Sequence, residues 1–234
     1  MVKQIIFDFD GVLYPSTEES MKRILSNISL AVNKTRKIPS QDLLNKVWGL
    51  KLEAMAVKLA MKLNWTEKEQ INFLQIHRED ASALPIDRQA QTLILETLLY
   101  LKKQGKELFI ITNRGSSSLI RVAQEINLDL SLFKLIICSD NLKNPRTGLF
   151  ICKPNPLVIN PILKLKKHYK LKEFIFVGDS IKNDFELARR TGLNFIALPT
   201  ALHSHEEWEQ VFNSNPNGFD KHIASSFLEI KDLV

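Results

Sequence analysis

The chain has 234 residues, 44% of them hydrophobic and 25% charged, with a formal net charge of +6 and a pI near 9.2. Such a length suits one α/β domain, or one domain carrying a smaller insertion, and the composition is that of an ordinary soluble protein without repeats or an apolar run of membrane-spanning length. Nor does the basic balance read as a nucleic-acid surface, because its densest segments, KLKKHYKLK at 164–172 and Lys34–Lys37, lack interleaved aromatics and fit no nucleic-acid motif.

The first predicted strand, Gln4–Phe9, lies in QIIFDFDGVLYPS at residues 4–16. A strand and turn at this position, in place of a signal peptide, lead us to expect a cytoplasmic protein. Asp8 and Asp10, two positions apart, would project from one face of a strand's carboxyl end. Two carboxylates so placed repel unless a cation or a phosphate shares the site, which points to Mg²⁺ chemistry. The D-x-D start is not an EF-hand loop, since that loop needs Gly at its sixth position, where this chain has Leu13, even though its twelfth is Glu19.

The stretch before the next strand is far longer than a βα crossover requires. Apolar positions recur at helical spacing over 18–33 (Met21, Ile24, Leu25, Ile28, Ala31, Val32) and over 52–63 (Leu52, Met55, Ala56, Leu59, Leu63). A T-x-x-E capping box, Thr66 with Glu69, opens a third helix. Residues 17–86 are therefore expected to form an all-helical domain, inserted into a core made of 1–16 and 87–234. Between its helices lies KVWGLK at 46–51, in which Gly49 can supply a bend beside Trp48 and Lys51.

Four more β-rich runs follow, Glu107–Thr112, Lys134–Cys138, Phe174–Gly178 and Asn194–Leu198. Helical patterns separate or flank them at Leu93–Lys103, Ser118–Ile126, Pro156–Lys167 and Asp184–Arg190, the first and last stopped by Gly105 and Gly192. Strands alternating with helices give an α/β, Rossmann-like, doubly wound parallel sheet, which binds ligands at the carboxyl ends of its strands.

Three further residue groups fall at that edge. IITNRG ends the second strand and presents Thr112 and Asn113, a hydroxyl and backbone N–H groups able to hold a phosphoryl oxygen, with Arg114 beside them as a candidate substrate contact. In ICKPNP, prolines on either side of Asn155 restrict the backbone after Lys153. GDSIKND places Asp179 at the end of the fourth strand and Asp184 in the first turn of a helix, an acidic pair suited to a cation between sheet edge and helix start, with Asn183 competing for the second position. Cys138 and Cys152 lack any zinc spacing and read as reduced, and the H-x-H pair His203 and His205 precedes a helix capped by Ser204 and Glu207.

In this order, DxDGVL, the strand-ending Thr112, the KPxP lysine and GDxxxxD resemble the four motifs of the haloacid dehalogenase-like (HAD) hydrolases, in the branch of the phosphoglycolate phosphatases and β-phosphoglucomutases. GFDKHIASSFLEIKDL near residue 230 is similar to that family's closing strand and helix. The resemblance implies that Asp8 attacks phosphorus to form an aspartyl phosphate, and that Asp10 serves as acid and then base. It implies Mg²⁺ held by Asp8, Asp10 and Asp179, with Asp184 as a ligand or an orienting group. Thr112, Asn113 and Lys153 would gather the transferring phosphoryl charge, and the helical insert, with Trp48, Gly49 and Lys51, would act as a cap selecting the substrate. The approach to Lys153 is longer than in many relatives. The expected partner is a small phosphorylated metabolite, with neither nucleic acid nor membrane involved, and the expected state a monomer or homodimer. A phosphomutase and a non-catalytic protein on the same fold are the alternatives.

Overall fold

The computed structural model describes residues 2–15, 17–32, 38–47, 50, 52–79, 87–165, 170–216 and 218–234. The basic stretches at 34–37 and 166–169 lie outside these. Two compact units account for the chain: Met1–Pro15 with Ile86–Val234, and Ser16–Pro85. Among the described residues no helix is long and apolar enough to cross a membrane.

The first unit is built on a six-stranded sheet, β1 (Gln4–Phe7), β2 (Glu107–Ile111), β3 (Phe133–Ile137), β4 (Phe174–Gly178), β5 (Asn194–Ala197) and β6 (Lys221–Ile223). Strand order is β3-β2-β1-β4-β5-β6 and every pairing is parallel. β1 and β4 are buried at every position, as unbroken β-branched and aromatic runs in the middle of a sheet covered on both faces should be. The doubly wound α/β class expected from the alternating pattern is the one found. β6, which was not among the five β-rich runs, extends the sheet at its far edge.

The helical unit contributes α1 (Thr17–Ala31), α2 (Gln41–Val47), α3 (Leu52–Leu63) and α4 (Glu67–Glu79). Its core is made by Ile24, Ile28, Met55, Ala56 and Leu59 from the two periodic stretches, together with Leu44 and Val47 of α2 and Trp65 and Phe73. The capping box is formed as read: the Glu69 N–H donates to Thr66 Oγ1 at 3.2 Å, and the Thr66 N–H to Glu69 Oε2 at 2.8 Å. At seven residues, α2 is too short to display a full periodic face. That is why its pattern is hard to see in the sequence.

The remaining helices belong to the first unit: α5 (Arg88–Lys103), α6 (Ser116–Glu125), α7 (Asn160–Leu165), α8 (Glu186–Thr191), α9 (His205–Asn213) and α10 (Ile230–Leu233). α5 begins earlier than its apolar pattern, because the Asp87 carboxylate caps the N–H groups of Gln89 and Ala90. The single helix expected over Pro156–Lys167 starts as a 3₁₀ turn at Pro156–Ile159, capped by Asn155. Ahead of α8, Ile181–Phe185 forms a wider π turn.

Candidate active site

β1 and β4 run side by side in parallel register, with Phe7 opposite Val177, so both deliver their next residues to the same edge of the sheet. The β1 run ends at Phe7, two residues short of the predicted strand. The Asp8 N–H still bonds Val177 O at 2.9 Å, but the chain then turns: the Phe9 N–H donates to Asp8 Oδ1 at 2.6 Å, and the Phe9 carbonyl accepts from Leu13 and Tyr14. Asp8 and Asp10 thus stand in a turn after the strand. Asp8 is buried and Asp10 half-buried.

Lys153 is the hub of the site. Its ammonium lies 2.7 Å from Asp8 Oδ1 and 2.6 Å from Asp184 Oδ1, and all three side chains are buried. Asp184 reaches this position from the π turn, and its Oδ2 accepts the N–H groups of Asp179 at 3.1 Å and Ser180 at 3.0 Å. Both oxygens of Asp184 are therefore engaged in aiming Lys153 and holding the start of the turn. Asn183, the competing residue, instead donates through its N–H and side-chain amide to Ser180 Oγ.

Gly178 makes room for this arrangement. A Cβ at that position would stand 2.4 Å from Asp184 Cβ, a separation that real Cβ atoms do not tolerate. The glycine at the end of β4 is a steric requirement of the acid six residues on.

Asn113 explains how the long approach to Lys153 still ends in a fixed lysine. Residues 142–151 fold into a hairpin, with Lys143 bridged to Phe150 and the Ile151 N–H on Leu142 O at 2.8 Å. The Asn113 amide then grips the Lys153 main chain, accepting its N–H at 2.9 Å and donating to its carbonyl at 3.2 Å. Next to it, buried Thr112 accepts the Arg114 N–H at 3.1 Å, which leaves the hydroxyl hydrogen for another acceptor. Thr200 escaped the sequence reading: it lies in the loop after β5 and donates to Asp179 Oδ2 at 3.2 Å. Nothing local marks it, since only the β4–β5 pairing brings that loop to Asp179.

Asp8, Asp10, Thr112, Asn113, Arg114, Lys153, Asp179 and Asp184 all stand at this edge, whereas Trp48, Gly49 and Lys51 lie outside the described residues. His203 and His205 face Glu207 and Glu209 of α9, at 3.3 and 3.7 Å. Cys138 is buried, and burial pushes its thiol up to about 11.

Electrostatics decide what the site can hold. Oxygens of Asp8, Asp179 and Asp184 all lie within 4.8 Å of one another, and one ammonium faces these three carboxylates. Burial, then the Asp184 charge, raises Asp8 to about 7, with Asp10 adding to the effect and Lys153 opposing it. Burial and the Asp184 and Asp8 charges push Asp179 well above the carboxylate range. Burial alone would lower Lys153, but Asp184 and Asp8 outweigh it and raise the ammonium above its ordinary value. An all-oxygen donor set with excess negative charge fits a hard divalent cation of the Mg²⁺ type.

Residues 5–198 match the family profile of the haloacid dehalogenase-like hydrolases. The chain belongs to this family. Among solved structures, a predicted phosphoglycolate phosphatase from Haemophilus somnus 129PT is 20% identical, covers 99% of this chain and 97% of its own, and superposes with a TM-score of 0.74. A proposed haloacid dehalogenase-like hydrolase from Bacteroides fragilis is 18% identical over 98% of this chain and 100% of its own, with a TM-score of 0.70. For a proposed β-phosphoglucomutase from Thermotoga maritima the values are 16%, 99%, 98% and 0.65. No curated protein matches the chain. At these identities the three structures establish the HAD fold, and the family match makes the chain a HAD hydrolase.

The raised Asp8 and Asp179 carboxyls give a pH dependence with a defined sign. Between the ordinary 3.8 and about 7, the folded metal-free chain keeps a proton on Asp8 that the unfolded chain has released. Stability from this group is therefore full below 3.8 and is lost as the pH rises through about 7. A bound cation competes with that proton, so the rise in melting temperature on replacing EDTA with Mg²⁺ is expected to be larger at about pH 8 than at about pH 6. Equal rises at both would mean that the ion and these carboxylates do not share a site.

Proposed function

We propose that the protein is a Mg²⁺-dependent phosphatase of small soluble phosphomonoesters, working through an aspartyl phosphate on Asp8. The observation that carries this reading is the Asp8–Lys153–Asp184 chain of contacts at 2.7 and 2.6 Å, set beside Asp179 at one edge of the sheet. Asp8 Oδ1 is engaged by Lys153 and the Phe9 N–H, and among the described residues nothing donates to Oδ2, which is the oxygen assigned to attack phosphorus. As the P–O bond to the leaving group breaks, Asp10 protonates the departing alkoxide. It then takes a proton from the water that cleaves the acyl phosphate. The Thr112 hydroxyl, the Asn113 main-chain N–H and the third N–H of Lys153 hold phosphoryl oxygens while charge develops on them.

Asp8, the Asp10 carbonyl and Asp179 would hold Mg²⁺, with Thr200 steadying Asp179 and Asp184 acting through Lys153. When bound, the ion screens the phosphoryl charge from the acids around it. The helical insert, 17–86, is assigned the part of a cap that selects the leaving group, with Trp48, Gly49 and Lys51 between its helices. The protein would act in the cytoplasm, as a monomer or homodimer.

The test is phosphate release from a panel of sugar, nucleoside and short-chain acid phosphates. Release from at least one ester, abolished by EDTA and restored by Mg²⁺, is expected. No release from any ester would overturn the reading, and isomerised sugar phosphate without free phosphate would replace it with a phosphomutase.

A further inference from the structure

Thr200 is fixed from both sides before it meets the site. Behind it, the Leu198 N–H donates to Gly178 O at 2.9 Å and carries the β4–β5 pairing past the end of β5. Ahead of it, Ser204 caps α9, and the His203 ring stands edge-on to buried Trp208 with ring centroids 5.8 Å apart. The loop between closes on itself, with the Thr200 N–H on His203 O at 3.1 Å and the N–H of buried Leu202 on Thr200 Oγ1 at 3.2 Å. That hydroxyl has one hydrogen to give. The Leu202 N–H cannot receive it, whereas an ionised carboxylate can only accept, so it is directed at Asp179 Oδ2, 3.2 Å away.

The arrangement limits how many oxygens each carboxylate can turn toward a cation. Thr200 holds Asp179 Oδ2, Lys153 and the N–H groups of Asp179 and Ser180 hold both oxygens of Asp184, and Asp8 Oδ1 carries Lys153 and the Phe9 N–H. None of the three can chelate an ion through both oxygens without giving up a hydrogen bond. Single oxygens at fixed positions suit Mg²⁺, which is small and demands near-octahedral geometry, whereas Ca²⁺ takes more oxygens in looser geometry, often two from one carboxylate. Asp179 differs from its neighbours in what restrains it. Its second oxygen is held by a loop hydroxyl, theirs by an ammonium or by main-chain N–H groups, so a side-chain change in the loop can release Asp179 alone.

Resting on the reading above that Asp179 holds the cation, we propose that Thr200 is a positioning residue of the cation site: by holding Asp179 Oδ2 it confines Asp179 to one oxygen, Oδ1, and so sets both the affinity for a small divalent ion and the preference for it over a larger one. Groups that orient a metal ligand act on affinity through the geometry of that ligand, without touching the ion. The loop after β5 is then part of the cation site, although it supplies no ligand.

The experiment is calorimetric titration of the full chain, stripped with EDTA and dialysed, with Mg²⁺ alone and with Ca²⁺ alone, in wild type, Thr200→Val and Thr200→Ser. Valine keeps the shape of threonine and removes the hydroxyl. Thr200→Val is expected to weaken Mg²⁺ binding by about 10-fold or more. Ca²⁺ should lose much less, because a released Asp179 can meet the larger ion with both oxygens, and the ratio of the two affinities falls accordingly. Thr200→Ser, which restores the hydroxyl, should keep the wild-type ratio. Should Thr200→Val fail to fold, Thr200→Ala set against Thr200→Ser makes the same comparison. Equal losses for the two ions, no loss for either, or a serine variant as weak as the valine one overturns the inference alone. Binding is measured without substrate, so failure to release phosphate from any ester would overturn the phosphatase reading and leave this inference standing. A wild type that binds neither ion overturns it together with the Mg²⁺ dependence of that reading.

Discussion

Asp8→Asn is expected to lower phosphate release by at least about 10³-fold while leaving the fold as stable as before or more so. The two halves of this expectation have one cause. An amide cannot attack phosphorus at a useful rate, so loss of the carboxylate removes the acyl-phosphate route. In the folded, metal-free chain, however, burial and the charge of Asp184 make the Asp8 carboxylate costly, which is why it titrates near 7. Replacing it by a neutral isostere relieves that repulsion and leaves Lys153 its contact with Asp184 at 2.6 Å. Thermal melting in EDTA, run beside turnover in Mg²⁺, checks both. A variant that loses activity only because it melts early would contradict the assignment of Asp8 as nucleophile.

Lys153→Met is expected to damage both activity and stability. Lys153 is 4% exposed and its ammonium is the shared counter-charge of Asp8 and Asp184, so its removal strands two buried carboxylates. Breaking a buried ion pair from one side costs about 3–5 kcal/mol, which for a chain of this size lowers the melting temperature by about 6–20 °C. Mg²⁺ should recover part of that loss, because a divalent ion supplies some of the missing positive charge. Turnover should not recover with it, since the contact proposed between the ammonium and the phosphoryl group would be gone. A melting temperature within about 2 °C of wild type would mean that the carboxylates are neutralised by something other than Lys153.

How much of this was legible in the sequence follows from which interactions are local. Strand cores such as Ile5–Phe7 and Phe174–Val177 are continuous apolar runs followed by Asp or Gly, and the helical insert carries its periodicity in plain view over 18–33 and 52–63. Asp8, Asp10 and Asp179 could be placed because each follows closely on the end of such a strand, and Lys153 because the prolines on either side of Asn155 mark its loop. What stayed hidden depends on pairs distant in sequence. Thr200 meets Asp179 only through the pairing of β4 with β5, and Asn113 meets the Lys153 main chain across a hairpin that the sequence did not reveal. Arg114 read as a general substrate contact, whereas its grip on Asp10 spans 104 residues and turns it into a partner of the acid itself. The π turn at Ile181–Phe185 is likewise invisible to a 3.6-residue pattern, although it is what swings Asp184 onto Lys153.

The most direct test of the central claim is to look for the covalent intermediate. In an Asp10→Asn variant, phosphorylation of Asp8 should remain possible for esters with good leaving groups, while hydrolysis of the acyl phosphate should lack its proposed base. Acid-quenched enzyme from such a reaction, digested and examined by mass spectrometry, should carry a hydroxylamine-labile phosphoryl group on the peptide containing Asp8, and none when Asp8→Asn is added. Turnover of the same ester with no adduct at Asp8, or with an adduct on another residue, would contradict the account.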